Sequence, residues 1–301
     1  MLDSFIYHFS TSGVETYIFL PSLVMFLVSV FTSTAGVSGA FILLPFQMSV
    51  LGYTAPGVSA TNFVYNIVSI PLGAFRYMRG KRLSYILLFL LTFGTVPGVF
   101  LGYCIRILYL PNPQNFKIFV GFVLAYLGIR TLQSAIKELS GKLPDIIPTG
   151  SSLKVEQEKL GLFQGKIFFQ GKVHNFSPMA VFVPALATGI IGGAYGIGGG
   201  AIMVPYCISV LGLPVYIVAG AALISTWIAS VISALFYAFG PLSQNVPASP
   251  DWLLGALFGI GGLGGIYAGS ILQKIMPSKV IKLILGLAVV SISAKYLWLL
   301  K

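Results

Sequence analysis

Two stretches of the chain combine residue types and spacing that could bind a charged solute. "AYGIGGGAIMVPYCISVLG" runs from Ala194 to Gly212, and "TAGVSGAFILLPFQMSVLG" runs from Thr34 to Gly52. Four glycines in the later copy, Gly196, Gly198, Gly199 and Gly200, cannot sustain a good helix, because each costs about 1 kcal/mol against Ala. The apolar run after them starts a new, short helix. Its first amides have no intrahelical partner and lie at the positive end of the helix dipole. Amides so placed bind anions. Gly36, Ser38 and Gly39 form the earlier copy, which is poorer in glycine but adds a hydroxyl.

Polar residues follow each copy inside apolar sequence. Ser59, Thr61, Asn62, Asn66 and Ser69 follow the first, with 59, 62, 66 and 69 on one helix face. Ser225, Thr226, Ser230 and Ser233 follow the second, with 226, 230 and 233 aligned. Their hydroxyl and amide groups can replace water around an oxyanion. A single Ser or Thr is as well explained by a bond back to its own helix. Asn62 and Asn66 carry amides that are costly in lipid, which argues for function or an interhelical bond. The candidate binding set is therefore Gly36, Ser38, Gly39, Thr61, Asn62, Asn66, Gly196, Gly198, Gly199, Gly200, Ser225 and Thr226, with Gln47 a weaker member.

The elements that must position these residues follow from composition. Of 301 residues 56% are hydrophobic and 8% charged, where soluble domains run near a quarter charged. No charge falls in the 60 residues between Glu15 and Arg76 or in the 78 between Lys172 and Asp251. A helix crosses a bilayer with about 20 apolar residues, so each gap holds several crossings. Alternating ten-residue strands of a membrane barrel are absent. The fold class is an all-α polytopic membrane protein. Apolar runs cover roughly 16–35, 39–52, 56–75, 83–105 and 116–136, then 177–195, 199–212, 215–239, 252–273 and 280–299. The start, "MLDSFIYHFSTSGVE", lacks a basic region, so the first run is expected to be the first membrane helix. The polar stretch 138–176 is expected to be a linker with a short surface helix near Lys154–Leu162.

Each half has the same order: a long run, a run of about 14, and three long runs. Over 36–52 against 196–212, eight of 17 positions are identical, including Gly36/Gly196, Gly39/Gly199, Pro45/Pro205 and Gly52/Gly212. A second echo aligns Gly94, Gly98 and Gly102 with Gly261, Gly265 and Gly269; their spacing of three or four fits close helix packing. The chain therefore divides into a first membrane repeat (1–137), a polar central loop (138–176) and a second membrane repeat (177–301).

With the N-terminus outside, 14 of 18 Lys and Arg fall inside, as the positive-inside rule requires. The basic loop "RYMRGKR" then lies inside and its uncharged counterpart, Gly240–Pro250, outside. Equivalent loops facing opposite sides make the halves inverted-topology repeats, each with an interrupted or short half-helix at a Gly-rich break, in about 8–10 membrane segments. Whether the short runs cross or re-enter stays open. Inverted repeats with broken helices point to a secondary transporter with its site between the halves. The expected location is the plasma membrane, multi-pass, with the central loop cytoplasmic.

Other classes fit less well. The basic residues sit at helix ends, so the net charge of +11 needs no nucleic acid. Seven acids and two His are scattered, too few for an embedded enzyme or a metal centre, and no cofactor motif appears. Cys104 and Cys207 lie in apolar runs and do not form a disulfide framework. No Asp or Glu lies within a run, leaving no intramembrane carboxylate for proton coupling. The partners expected are a small anionic substrate and the lipid bilayer, and the architecture is compatible with a homo-oligomer. The alternative is a cation or other small-solute transporter or channel of the same architecture, with a filter of carbonyls.

The glycine cluster followed by "AIMVPYCISVLGLP", duplicated as "SGAFILLPFQMSVLGYTAPG", resembles the sulfite exporter (TauE/SafE) family, of the toluene-sulfonate uptake permease superfamily. The resemblance covers nearly the whole chain. It departs at Ser38 and Ala40, where glycines are usual, and at the family's Thr-Ser pair, which here reads Thr61-Asn62 and Ser225-Thr226. The resemblance implies transport of sulfite, organosulfonates or related sulfur-containing anions, most simply as export by alternating access.

Overall fold

The computed structural model describes residues 5–34, 38–79, 83–140, 155–161, 164–169, 171–272 and 278–298. The first half holds α1 (Leu20–Thr34), α2 (Ala40–Ser49), α3 (Gly57–Ser69), α4 (Pro71–Arg79), α5 (Tyr85–Leu108) and α6 (Pro113–Leu139). The second holds α7 (Pro178–Tyr195), α8 (Gly200–Ser209), α9 (Val215–Phe239), α10 (Trp252–Leu272) and α11 (Ser278–Leu297). Among the described residues, seven helices are long and apolar enough to cross a membrane, counting Gly57–Arg79 as one. Pro71 divides that one into α3 and α4, because it has no N–H to continue the ladder.

The short runs form the two shortest apolar helices, α2 and α8, each of 10 residues. At 1.5 Å per residue each spans about 15 Å, half of a hydrocarbon core. Their details repeat. The amides of Leu43 and Met203 donate to the Gly39 and Gly199 carbonyls, both at 3.1 Å. Each helix carries an internal proline, Pro45 or Pro205. Each is followed by a left-handed glycine, Gly52 at φ +70° or Gly212 at φ +63°.

Packing partners exchange between the halves. The stripe Gly94, Gly98 and Gly102 of α5 lies on the α7 backbone at Phe182, Leu186 and Ile190, while Gly261, Gly265 and Gly269 of α10 lie on α1 at Ser22, Phe26 and Val30. Any Cβ on either stripe would strike main-chain atoms, so these glycines serve close approach, as their spacing predicts. Further contacts join α6 to α11 and the α3–α4 segment to α9. α6 runs antiparallel to α11, with Gly121 beside Leu297 and Gly286 beside Leu132. The α3–α4 segment runs antiparallel to α9, with Asn66 beside Ser230 and Gly73 beside Leu223.

Two expectations change. The first apolar run begins as a strand. β1 (Ile6–Phe9) and β2 (Val14–Tyr17) form a hairpin turned at Gly13, φ +69°, and α1 starts only at Leu20. β-branched and aromatic residues in "IYHF" and "VETY" favour strand pairing there. The surface helix near Lys154–Leu162 is instead β3 (Val155–Leu160), within an antiparallel sheet with β4 (Gly165–Phe169) and β5 (Lys172–Phe176). "VEQEKL" has good local helix formers, but pairing with the apolar "GKIFF" strand overrides them. Ile167, Phe169 and Phe176 join the buried cluster of Leu87 and Val181. Glu158 Oε2 accepts from the amides of Tyr85 and Ile86 at 3.0 and 3.2 Å, capping α5.

Candidate substrate site at the two helix breaks

The α7–α8 break is enforced by backbone. Gly196, at φ +99°, ends α7 with its amide on the Gly192 carbonyl at 2.8 Å, and Gly198 takes φ +68°. Both values lie in the left-handed region that favours glycine. Ending α7 here frees carbonyls in a buried place, and each needs a donor.

The polar face of α3 supplies those donors in chain order. Ser59 Oγ donates to the Ala194 carbonyl at 2.8 Å, Asn62 Nδ2 to Gly196 at 3.2 Å, and Asn66 Nδ2 to Ile197 at 3.4 Å. Asn62 also donates to the Ala40 carbonyl, the first residue of α2, at 2.8 Å. Its Oδ1 accepts from Gln47 Nε2 at 3.3 Å. One amide therefore holds the beginning of α2 and the break before α8 together. Ser59, Asn62, Asn66 and Gln47 are all buried, at 1% exposure or less.

α9 serves the other side. Thr226 Oγ1 accepts from the Gly200 amide at 3.1 Å and donates to the Ala222 carbonyl at 2.8 Å. The first amide of α8 is thus covered by a hydroxyl, as the Ala40 amide is by Ser38 Oγ at 3.3 Å. Ser225 Oγ lies 3.2 Å from Thr95 Oγ1. Thr95 spends its proton on the Leu91 carbonyl at 2.8 Å, so Ser225 is the donor of that pair.

The glycines of the break touch these same side chains. A Cβ on Gly196 would meet Asn62, one on Gly198 or Gly200 would meet Thr226, and one on Gly199 would meet Thr95. Gly39 faces the Tyr65 hydroxyl. The structure thus gathers Ser38, Gly39, Asn62, Asn66, Gly196, Gly198, Gly199, Gly200, Ser225 and Thr226 around the two breaks. Thr61 turns elsewhere: its Oγ1 accepts from the Asp251 amide at 2.9 Å, at the start of α10. Gly36 lies outside the described residues.

Three tyrosines and a threonine complete the shell and escaped the sequence reading. Tyr195 donates to the Phe41 carbonyl at 2.7 Å, linking the end of α7 to the first turn of α2. Tyr237 donates to Gly193 at 3.0 Å. Tyr65 lies 3.2 Å from Ser29 Oγ. Thr95 stands on α5. The signal was present: a buried tyrosine must find a partner for its hydroxyl, and these tyrosines stand in apolar runs.

The gathered groups are neutral, and several are N–H or O–H donors. Such a set can solvate an oxyanion through directed hydrogen bonds rather than through countercharge. A family model described as sulfite exporter TauE/SafE matches residues 22–296. The chain belongs to that family. TauE/SafE proteins are membrane transporters, and the multi-pass helical structure agrees with that class. The match begins in α1 and ends in α11, so both breaks and both polar helices fall within the TauE/SafE region. Comparison with curated proteins and with solved structures gives no significant match.

Proposed function

We propose that this TauE/SafE protein exports a sulfur-containing oxyanion, sulfite or an organosulfonate, by alternating access, with the anion bound between the two breaks. The observation that carries the proposal is the pair of hydrogen bonds that Asn62 Nδ2 donates to the Ala40 and Gly196 carbonyls. It joins both breaks through a single neutral donor. When the breaks part, Asn62, Asn66, Gln47, Ser225 and Thr226 release their present acceptors and turn to the anion, and the first amides of α2 and α8 are uncovered beside it. The cycle exchanges internal hydrogen bonds for bonds to the solute, so an empty site can close without a buried charge.

The division into repeats 1–137 and 177–301 around a central segment, inverted relative to each other, belongs to this proposal. The antiparallel pairing of α6 with α11, and of α3–α4 with α9, supports it. The Lys and Arg distribution supports an outside N-terminus, a cytoplasmic central segment and a plasma-membrane location. An anion leaving a negative interior gains about 2.3 kcal/mol per charge per 100 mV. That term and the concentration gradient drive export without a coupled ion. Flux of sulfite and sulfonates from proteoliposomes under imposed potentials tests the proposal. Efflux should rise with interior-negative potential and compete across sulfur oxyanions. Efflux indifferent to potential would remove the uniport mechanism, and preferential movement of a cation would remove the substrate class.

A further inference from the structure

Gln47 is fully buried on α2, yet one of its two polar atoms has no partner. The orientation of its amide is fixed by its neighbour. One end of the Asn62 amide faces the Ala40 and Gly196 carbonyls at 2.8 and 3.2 Å, and carbonyls only accept, so that end is the nitrogen. The other end, Asn62 Oδ1, is then an acceptor, and the Gln47 atom 3.3 Å from it is the donor Nε2. Turning the Gln47 amide over would only set two oxygens against each other. Gln47 Oε1 is therefore left as an acceptor with no donor among the described residues. Leu43, Leu44 and Met48, its neighbours on α2, are buried and apolar and offer none.

A buried acceptor without a donor is costly, and in folded proteins such atoms are few. This one is bonded through its own amide to Asn62, the residue that holds both breaks. We propose, on the reading that the breaks hold a sulfur oxyanion, that Gln47 Oε1 receives a hydrogen-bond donor carried by that anion. The protein then selects sulfur oxyanions that bear one O–H group.

The chemistry divides the candidate solutes. A plain alkylsulfonate and the sulfite dianion have only acceptor oxygens, and a carbonyl oxygen in the site repels them. A hydroxyalkylsulfonate, or hydrogen sulfite in its O–H form, is a monoanion with one donor. Its other oxygens accept from the Asn62, Asn66 and Thr226 donors, while its O–H makes the bond that Gln47 lacks. A single orphan acceptor among donors also argues against a hard cation, which takes oxygen ligands on all sides.

The full-length chain in proteoliposomes, co-loaded with equal hydroxyethanesulfonate and ethanesulfonate, tests this through the ratio of the two anions released. Both carry one negative charge, and only the first has an O–H. Wild type should release hydroxyethanesulfonate about fivefold faster, the worth of one buried hydrogen bond. Gln47→Met keeps the length of the side chain without the carbonyl and should bring the ratio to one. General damage to the fold would slow both anions and leave their ratio alone. Methoxyethanesulfonate keeps the added oxygen but not its proton, so wild type should release it no faster than ethanesulfonate, a measurement that needs no variant to fold. Equal release of the first pair by wild type, an advantage that survives Gln47→Met, or equal release of the hydroxy and methoxy anions overturns the proposal and leaves the sulfonate reading in place. Release of none of the three above that from protein-free vesicles would remove that reading itself.

Discussion

Asn66 on α3 and Ser230 on α9 hydrogen bond to each other, Nδ2 to Oγ, at 3.3 Å. Asn66 gives its other proton to the Ile197 carbonyl in the second break, so the contact between the two polar helices reaches the broken backbone directly. Around it the two helices take different partners. Asn62 donates to the Ala40 carbonyl at the start of α2, whereas Thr226 accepts from the Gly200 amide at the start of α8. The two helices therefore offer unlike groups to the breaks between them.

Asn62 is the first residue to test. Asn62→Ala leaves the buried Ala40 and Gly196 carbonyls without a donor, and each such loss costs about 1–3 kcal/mol. Asn62→Asp keeps the shape but loses both N–H groups and adds a negative charge. Both variants should lose sulfite efflux from proteoliposomes, and Asn62→Asp should do so even in preparations that still melt cooperatively. Efflux at the wild-type rate in folded Asn62→Asp would exclude Asn62 from the anion's path.

Thr226 separates hydroxyl from shape. Thr226→Val is nearly isosteric but leaves the Gly200 amide uncovered, whereas Thr226→Ser keeps the acceptor. Interhelical hydrogen bonds in membranes average about 0.6 kcal/mol and reach about 1.7. Thr226→Val should therefore lower thermal stability only slightly, yet lower anion affinity severalfold, because the proposed site uses the hydroxyl as a donor to the solute. Thr226→Ser should transport normally. Equal efflux from Val and Ser variants would reduce Thr226 to a helix cap.

Much of this arrangement was legible in the sequence, and the reason is physical. Charge-free runs bounded by Gly and Pro leave little freedom, so the run 215–239 coincides with α9 and 177–195 nearly so with α7. The glycine cluster marked the second break, because left-handed backbone at Gly196 and Gly198 tolerates little else. Period alone cannot tell which neighbour a helical side chain will meet, and the neighbour of Thr61 is the Asp251 amide, 190 residues away. Arg106, near the end of α5, is fully buried, donates to the Thr54 carbonyl at 3.5 Å and lies over the Phe116 ring at 3.6 Å, partners that its place in the sequence does not reveal. The β3–β5 sheet was hidden because its strands are short and become stable only through mutual pairing and the packing of Ile167, Phe169 and Phe176 on distant helices.

The glycine stripes give a prediction with an internal control. A Cβ on Gly98 would stand 2.5 Å from the Leu186 carbonyl oxygen and 2.9 Å from Gly189 Cα, both main chain. On Gly264 it would stand 3.4 Å from Phe26 Cδ2, an ordinary side-chain contact. Gly98→Ala should therefore cost about 1–3 kcal/mol, the usual size of overpacking, and Gly264→Ala almost nothing. Melting temperatures in one detergent would check the pair. Equal melting would mean that α5 and α7 can shift apart freely.

His174 sets a pH dependence on the central sheet. Burial, with Lys172 beside it, holds its imidazole below the ordinary value near 6.5. The folded sheet thus binds the proton less well than the unfolded strand does, and stability rises with pH across that window. His174 contributes fully above about 6.5 and loses its contribution as pH falls toward the lower, folded value. Relative to the intrinsic exchange rate, which itself slows on acidification, protection of the β4–β5 amides should fall between pH 7 and 5. His174→Gln should flatten that fall, and an unchanged fall would assign it to another group.

Asp251 ties the N-terminal hairpin to the membrane domain, and its two oxygens have separate tasks. Oδ1 accepts from the Leu254 amide at 3.0 Å, capping α10 as Ser84 caps α5 through the Leu87 amide at 3.2 Å. Oδ2 accepts from Ser12 Oγ at 2.7 Å and the Ser12 amide at 3.2 Å. Asp251→Asn can keep the cap but places an amide where Ser12 donates. Hydrogen bonds to a charged group are worth about 1.5–3 kcal/mol, so the hairpin should open about tenfold or more often. Exchange of the Gly13 and Val14 amides should accelerate by that factor, with α10 protection unchanged. Asp251→Ala should release both, losing hairpin protection and about 0.5–2 kcal/mol of helix cap. If Asp251→Asn left hairpin exchange at the wild-type rate, the hairpin would be held by the buried Phe9 and Val14 side chains instead.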